Sequence, residues 1–394
     1  MDLKSKLIAL IQNGSEIEKC MNDLNLHLRE TFQECHDYCF KSGQVYEDVL
    51  LLKIDSILDY LHDELNTGHW SEVPVTTRQT FTCVSFIKAL VIVSSGADES
   101  VRNALKCVDL GLLLGAPLSE NCGLMTQAAA LFSESMSKPS SVRVLSKRKL
   151  PSNLGRVHGK EVPVLHCPSI EHFNENHFKP CYPAVLKDCI SHWPAVTKWP
   201  DVNYLLELAG SRTVPIEIGS HYADENWTQK LMSLREFIYD HYLDSSSLGY
   251  LAQHNLFDQI PELREDIRVP DYCALAREEG VDPDVNAWLG PEGTVSPLHF
   301  DPKDNLLTQV YGTKEVVLFA PCDSERLYPH EGSLLFNTAQ VDPYAPDLDK
   351  FPKYRGAGAY KCMLEAGDML YIPLRWWHHV SALEKSFSVS FWWS

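Results

Sequence analysis

The sequence has no long apolar run, little basic charge and no paired cysteine spacing, and each shortage closes off a class of protein. The longest apolar stretch lies near Ala89 to Val93, far below the ~20 residues a membrane-spanning helix needs. Lys and Arg number 35 against 53 Asp and Glu, a net charge of −18. That argues against nucleic acid as a direct partner, because counterion release requires a basic surface; basic peptides or proteins suit this one better. Twelve cysteines are scattered without zinc-site spacing, many in apolar runs typical of buried free thiols, which implies a reducing compartment. The opening Met1-Asp2-Leu3-Lys4-Ser5-Lys6 leads into a short apolar stretch broken by Gln12, Asn13 and Gly14 rather than a secretory core. A soluble intracellular protein with no membrane partner is expected. There is no His-Glu-x-x-His helix, no nucleophile elbow and no clear repeat period, so a zinc-peptidase or serine hydrolase centre has no support.

What remains is a chain of 394 residues, 44% hydrophobic, enough for two cores. From Leu3 to about Met136 apolar residues recur with helical spacing, most clearly Leu50, Leu51, Ile54, Ile57, Leu58 and Leu61, then Val101, Leu105, Val108 and Leu112. Gly43, Gly68, Gly96 and Gly115-Ala116-Pro117 punctuate these helices. An all-α domain over residues 1–140 is expected. Residues 141–160 follow as an exposed polar linker holding Lys147-Arg148-Lys149, also a minimal nuclear-import pattern.

Over residues 161–394 short β-type runs alternate with Pro, Gly and Asp turns, as in Thr213 to Gly219 and Val316 to Pro321. Helices are expected around Val202 to Ala209 and Leu231 to Tyr242. The fold class is α+β, with an antiparallel barrel or jelly roll following the helices.

Ser296-Pro297-Leu298-His299-Phe300-Asp301 places two potential metal ligands two residues apart, on one face of a strand. A third lies 79 residues downstream, where Gly367-Asp368 and a strand ended by Pro373 lead to Trp377-His378. Two histidines and a carboxylate make the facial triad that leaves open positions on non-haem Fe(II). His379 competes with His378, but neighbours on an extended segment face opposite ways, so one alone reaches a metal. Asn305 to Gln309 and Lys314 to Phe319 read as a hairpin around Tyr311-Gly312-Thr313. Lys314 is a solvated edge lysine or, facing the lumen, a partner for the distal carboxylate of a dicarboxylate. The chain's end alternates: Phe387, Val389 and Phe391 on one face, Ser386, Ser388, Ser390 and Trp392 on the other.

His299-Phe300-Asp301, Lys314, the Gly367-to-His378 block and the Ser386-to-Ser394 ending together resemble the jumonji-C oxygenases. Tyr250-Leu251-Ala252-Gln253-His254, Pro297-Leu298-His299 and Tyr328-Pro329-His330 are similar to one branch of that family. The resemblance implies a double-stranded β-helix of cupin type, with His299, Asp301 and His378 ligating iron. It implies that Lys314, Tyr250 and Ser296 hold the far carboxylate of 2-oxoglutarate, with Asn305 and Trp392 completing the pocket, while Phe300 points away and its identity matters little. Fe(II), 2-oxoglutarate and O2 are then the cofactor and cosubstrates.

The same resemblance implies C-3 hydroxylation of arginine in target proteins, with methyl-lysine demethylation, histone-tail cleavage and a non-catalytic cupin-like module as alternatives. Expected partners are proteins with basic, arginine-containing segments such as histone tails, and the expected location is the nucleus with some in the cytoplasm. Glu217 would accept a substrate guanidinium, with Trp288 and Gln253 walling the same pocket.

Overall fold

The computed structural model describes residues 2–11, 15–40, 47–93, 98–136, 149–219, 221–222, 227–244, 247–275, 281–332 and 335–394. The chain divides into two compact units, Met1–Ser140 with Ala209–Thr213, and Ser141–Leu208 with Val214–Ser394. No described helix is long and apolar enough to cross a membrane.

The first unit is helical: α1 (Leu3–Ala9), α2 (Ser15–Asp23), α3 (Leu26–Phe40), α4 (Glu47–Leu65), α5 (Val75–Val93), α6 (Asp98–Leu114) and α7 (Leu124–Ser135). In α4 the buried positions are Leu50, Ile54, Ile57 and Leu61, the stripe that the 3.6-residue period selects. Helix α5 is buried all round from Thr80 to Ile87 and packs against both α4 and α6. Two of its threonine hydroxyls bond to carbonyls: Thr80 Oγ1 donates to Thr76 O at 2.9 Å and Thr82 Oγ1 to Ala116 O at 2.9 Å.

The second unit is a jelly roll of two sheets. Its strands are β1 (Gly159–Glu161), β2 (Val164–His166), β3 (Ala184–Lys187), β4 (Thr213–Ile218), β5 (Thr228–Ser233), β6 (Gly249–His254), β7 (Asp284–Gly290), β8 (Val295–Phe300), β9 (Asp304–Tyr311), β10 (Lys314–Phe319), β11 (Ala359–Leu364), β12 (Met369–Ile372), β13 (Trp377–Ala382) and β14 (Ser386–Trp393). The smaller sheet runs β1-β11-β10-β13-β8 and the larger β2-β3-β12-β9-β14-β7-β6-β4-β5.

Strands β9 and β10 therefore do not form the expected hairpin. Gly312 has φ 79°, and a Cβ there would lie 2.3 Å from the Lys385 carbonyl oxygen. The turn folds tightly over the start of β14 and delivers β10 to the opposite sheet. The expected helix at Leu231 also begins later, at Leu234. Ser233 caps it in a reciprocal box with Glu236, and residues up to Ser233 belong to β5.

Of the expected linker, residues 141–148, including Lys147 and Arg148, lie outside the described residues. Residues 149–160 pack on the barrel instead of standing free. Leu154 and Val157 are buried, β1 pairs with β11, and the buried Glu315 carboxylate accepts from the Ser152 hydroxyl, the Asn153 N–H (2.8 Å) and the Leu154 N–H (3.1 Å).

The two-residue period sorts the side chains of β10. Val316 and Leu318 join Leu307, Leu370 and Val380 between the sheets, whereas Val317 and Phe319 join Leu298 and Trp377 outside. Lys314 has the parity of the inward set. In β14 the phenylalanines face outward, with Trp199 stacked on Phe387 at 4.2 Å and Trp193 edge-on to Phe391 at 5.9 Å. The serines face the lumen, where Ser388 donates to Gln309 Oε1 at 2.7 Å.

Candidate metal centre

His299, Asp301 and His378 come together in the lumen, each able to offer one ligand atom within 4.8 Å of the others. Register explains this: His378 on β13 is the partner of His299 on β8, and a bulge follows. The His299 and His378 ring centroids are 4.2 Å apart. Asp301 Oδ1 lies 3.8 Å from His299 Nε2, and its Oδ2 lies 3.5 Å from His378 Nε2.

Both imidazoles are oriented through their other nitrogen. His299 Nδ1 is 2.7 Å from the Pro297 carbonyl and His378 Nδ1 is 3.0 Å from the Trp376 carbonyl. With Nδ1–H donating in each ring, Nε2 carries the free lone pair. Burial, helped by His299 beside it, pushes His378 down to about 4, which keeps it neutral and ready to ligate at pH 7. His379 faces the other way, into a separate cleft with His330, Asp342 and Tyr344.

The turn before His378 is tied to the rest of the triad. Arg375, in the left-handed region at φ 62°, donates its N–H to the Asp301 carbonyl at 3.1 Å. Asp304 Oδ1 accepts from Tyr371 Oη at 2.8 Å and from the Leu374 N–H at 3.0 Å. The carboxylate thus holds the end of β12 and the turn whose Trp376 carbonyl aligns His378. Phe300 does point away from the triad, but into an aromatic cluster. It lies edge-on to Trp377 (4.8 Å) and Phe336 (6.0 Å), with the Arg375 guanidinium 5.7 Å from its ring centroid. Its size therefore matters to packing.

Behind the triad is a narrow cavity, part of it open to solvent, lined also by Tyr250, Trp288, Ser296, Asn305, Lys314 and Trp392. Lys314 is 2% exposed. Its ammonium lies 3.2 Å from Tyr250 Oη, and burial lowers its pKa to about 7. It has the lumenal position of the two that the strand allowed, because β10 lies inside its sheet between β11 and β13.

The polar groups fit a bound metal and dicarboxylate. Among the described residues, Asp301 Oδ2, Asn305 Oδ1 and Trp392 Nε1 are buried without a hydrogen-bond partner, and no carboxylate lies beside Lys314. Buried polar atoms are rarely left so unless a ligand satisfies them.

Glu217 on β4 is the register partner of Tyr250 on β6. Burial raises its pKa, and the Trp227 indole lying against it partly offsets the effect. Tyr222, which sequence reasoning passed over, sits edge-on to His299 with centroids 6.3 Å apart, and its hydroxyl is 3.2 Å from Thr338 Oγ1. Its phenol is pushed up to about 12, mainly by burial, with Asp301 and Glu217 adding to the effect. Trp288 is fixed by an Nε1–H bond to Ser390 Oγ at 2.8 Å. Gln253, expected to wall this region, is exposed instead and outside the cavity lining. The irregularity in β6 between Leu251 and His254 puts it in a left-handed conformation, φ 46°.

A jelly roll with two imidazoles and one carboxylate converging in its lumen defines the non-haem iron class of site. The cupin-like domain family matches residues 170–394. The chain is 43% identical over 350 residues to lysine-specific demethylase 8 of Danio rerio and 39% identical over 350 residues to Jumonji C domain-containing protein 5 of Drosophila melanogaster. Each alignment spans 86% of both chains. A human bifunctional peptidase and (3S)-lysyl hydroxylase is 30% identical over 265 residues, 57% of this chain and 81% of that one. The chain belongs to the cupin-like jumonji-C family, whose members depend on Fe(II) and 2-oxoglutarate.

Proposed function

We propose that this protein hydroxylates arginine side chains, at C-3, in target proteins with basic segments such as histone tails. The observation that carries the reading is Glu217, a largely buried carboxylate beside Tyr250 and Tyr222 with no Lys or Arg paired to it among the described residues. A desolvated acid at the mouth of a metal site calls for a cation, and a guanidinium answers with two parallel hydrogen bonds. Trp288, held by Ser390, and Tyr222 supply flat walls on which such a group can stack.

On this reading His299, Asp301 and His378 hold the iron and leave positions open for cosubstrate and O2. Iron and 2-oxoglutarate supply the oxidising chemistry: O2 is consumed, the oxoacid becomes succinate and CO2, and one oxygen atom enters a C–H bond. Lys314 neutralises the distal carboxylate, Tyr250 and Ser296 steady that end, and Asn305 and Trp392 donate or accept at its flank. Val316, Leu318 and Ile372 keep water away from the reacting positions.

Methyl-lysine demethylation is the second reading, favoured by the demethylase name of the Danio rerio relative. The same acid would accept an ammonium, and Tyr222, Tyr250 and Trp288 are ring faces for it. A nuclear location with a cytoplasmic share accords with such targets, and the helical domain is assigned to target recruitment.

The test is mass spectrometry of arginine and methyl-lysine peptides incubated with protein, Fe(II) and 2-oxoglutarate, then air, beside His299→Ala. The expected result is one added oxygen on arginine, absent with the variant. Loss of methyl groups without arginine oxidation would replace this reading with the second. Peptide cleavage in the absence of 2-oxoglutarate would overturn both.

A further inference from the structure

At the edge of the larger sheet β2 and β3 run parallel, with His166 opposite Lys187. Both chains leave the sheet through a left-handed residue that is not glycine, Cys167 at φ 38° and Asp188 at φ 65°. The two bends bring Cys167 and Cys189 to one carbonyl. The Cys167 N–H donates to Lys187 O at 2.9 Å, and the Cys189 thiol donates to the same oxygen at 3.3 Å. Tyr272 closes the group: its hydroxyl is 3.8 Å from Cys189 Sγ and donates to the carbonyl of Pro168, next to Cys167, at 2.7 Å. Both cysteines line one surface cleft with His192 and Arg268. Cys167 is exposed and Cys189 half-buried.

We propose that Cys167 and Cys189 form a peroxide-sensitive dithiol, a reversible modification site at which hydrogen peroxide is reduced and the two sulfurs join. In the first step the Cys167 sulfur takes one peroxide oxygen; the O–O bond breaks, water leaves, and Cys167 becomes a sulfenic acid. In the second the Cys189 sulfur attacks the Cys167 sulfur, the S–O bond breaks, and the oxygen departs as a second water carrying the Cys189 proton. Two thiols lose two electrons and two protons, and one peroxide becomes two waters.

The surroundings divide the roles. Cys167 is open to oxidant, whereas burial pushes the Cys189 thiol up to about 11, which suits a resolving thiol rather than a first attacker. Both cysteines hydrogen-bond to the one Lys187 carbonyl, which holds the two residues close enough for a small rotation to bring their sulfurs together. Cys20 and Cys83 provide a contrast within the same chain: their sulfurs are 3.0 Å apart, but both side chains are buried in the helical core, away from any oxidant.

Trypsin puts the two sulfurs on separate peptides, residues 161–187 and 188–198; the first also carries Cys181, because Lys179 precedes Pro180 and is not cut, so fragment ions must place the bridge on Cys167 and the alkyl group on Cys181. The full-length protein would be treated with hydrogen peroxide, alkylated, digested without reductant and mapped by mass spectrometry. The expected product is these two peptides joined, two hydrogens lighter than their sum, and separated again by dithiothreitol. In Cys189→Ser the sulfenic acid on Cys167 has no resolving partner, so its dimedone adduct should rise about tenfold over wild type. A Cys167 that reaches sulfinic acid in the wild type without forming the joined peptide would overturn the proposal, as would equal dimedone labelling of wild type and variant. The wild-type map needs no variant to fold, and melting curves check that Cys189→Ser does.

Discussion

Replacing Lys314 by methionine should make the ligand-free protein more stable while removing its response to 2-oxoglutarate. Burial lowers the Lys314 pKa from 10.5 to about 7. Between those values the unfolded chain holds the proton and the folded chain does not, so the lysine destabilises the folded state, and stability rises with pH through the window. At ~1.4 kcal/mol per pKa unit the cost is on the order of 4 kcal/mol at pH 7 and about 2 kcal/mol at pH 9. Methionine occupies a similar volume without the charge. Thermal unfolding of both proteins at the two pH values reads the difference, which should narrow as pH rises. Adding 2-oxoglutarate with Fe(II) under argon should then stabilise wild type, by about 2.7 kcal/mol at a hundredfold excess over Kd, and leave the variant where it was. A variant less stable than wild type at pH 7, or one equally stabilised by 2-oxoglutarate, would refute the assignment of Lys314 as a strained cosubstrate anchor.

Asp304→Asn should weaken the hold on the turn before His378, costing about 1–3 kcal/mol and roughly tenfold in divalent-metal affinity. Unaltered Co(II) titration would show that the turn does not depend on this carboxylate. Glu217→Gln should raise the KM for arginine peptides at least about tenfold through loss of a charged hydrogen-bond acceptor, with 2-oxoglutarate binding unaffected; an unchanged KM removes Glu217 from the substrate pocket. Phe300→Ala should cost about 2 kcal/mol by emptying the space between Trp377 and Phe336, measured by chemical denaturation, whereas Phe300→Leu should retain most of that.

Much of the barrel was legible because a strand's period leaves little choice. Once His299 and Asp301 share a face and Phe387, Val389 and Phe391 share another, the lumen side of β8 and β14 is assigned. The turn at Gly312 was legible only as a turn. Its residues specify a reversal but not which sheet receives the returning strand, and the contact of Gly312 with Lys385 and Ser386, more than 70 residues on, decides that. Tyr222 and Asp304 were missed for a related reason. Tyr222 meets Thr338 across 116 residues, and Asp304 meets Tyr371 and Leu374 across 67 and 70. A signal for Asp304 did exist, since a carboxylate at the start of an apolar strand is disfavoured unless something pairs with it. Gln253 lies three residues from Tyr250, so strict alternation already sets the two on opposite faces, and its exposed, left-handed position keeps it out of the lining.

The Glu315 clasp decides where this barrel can be cut. Its carboxylate sits on the outer face of β10, the strand that carries Lys314 inward, and is 1% exposed. One of its oxygens, Oε1, accepts from Ser152, Asn153 and Leu154. A fragment starting at residue 161 would strand that anion against an apolar layer, with Leu154 and Val157 missing from the packing above it. The shortest autonomous piece of the second unit therefore starts no later than Ser152, and a fragment trimmed further would fail by misfolding while every metal-site residue was still present.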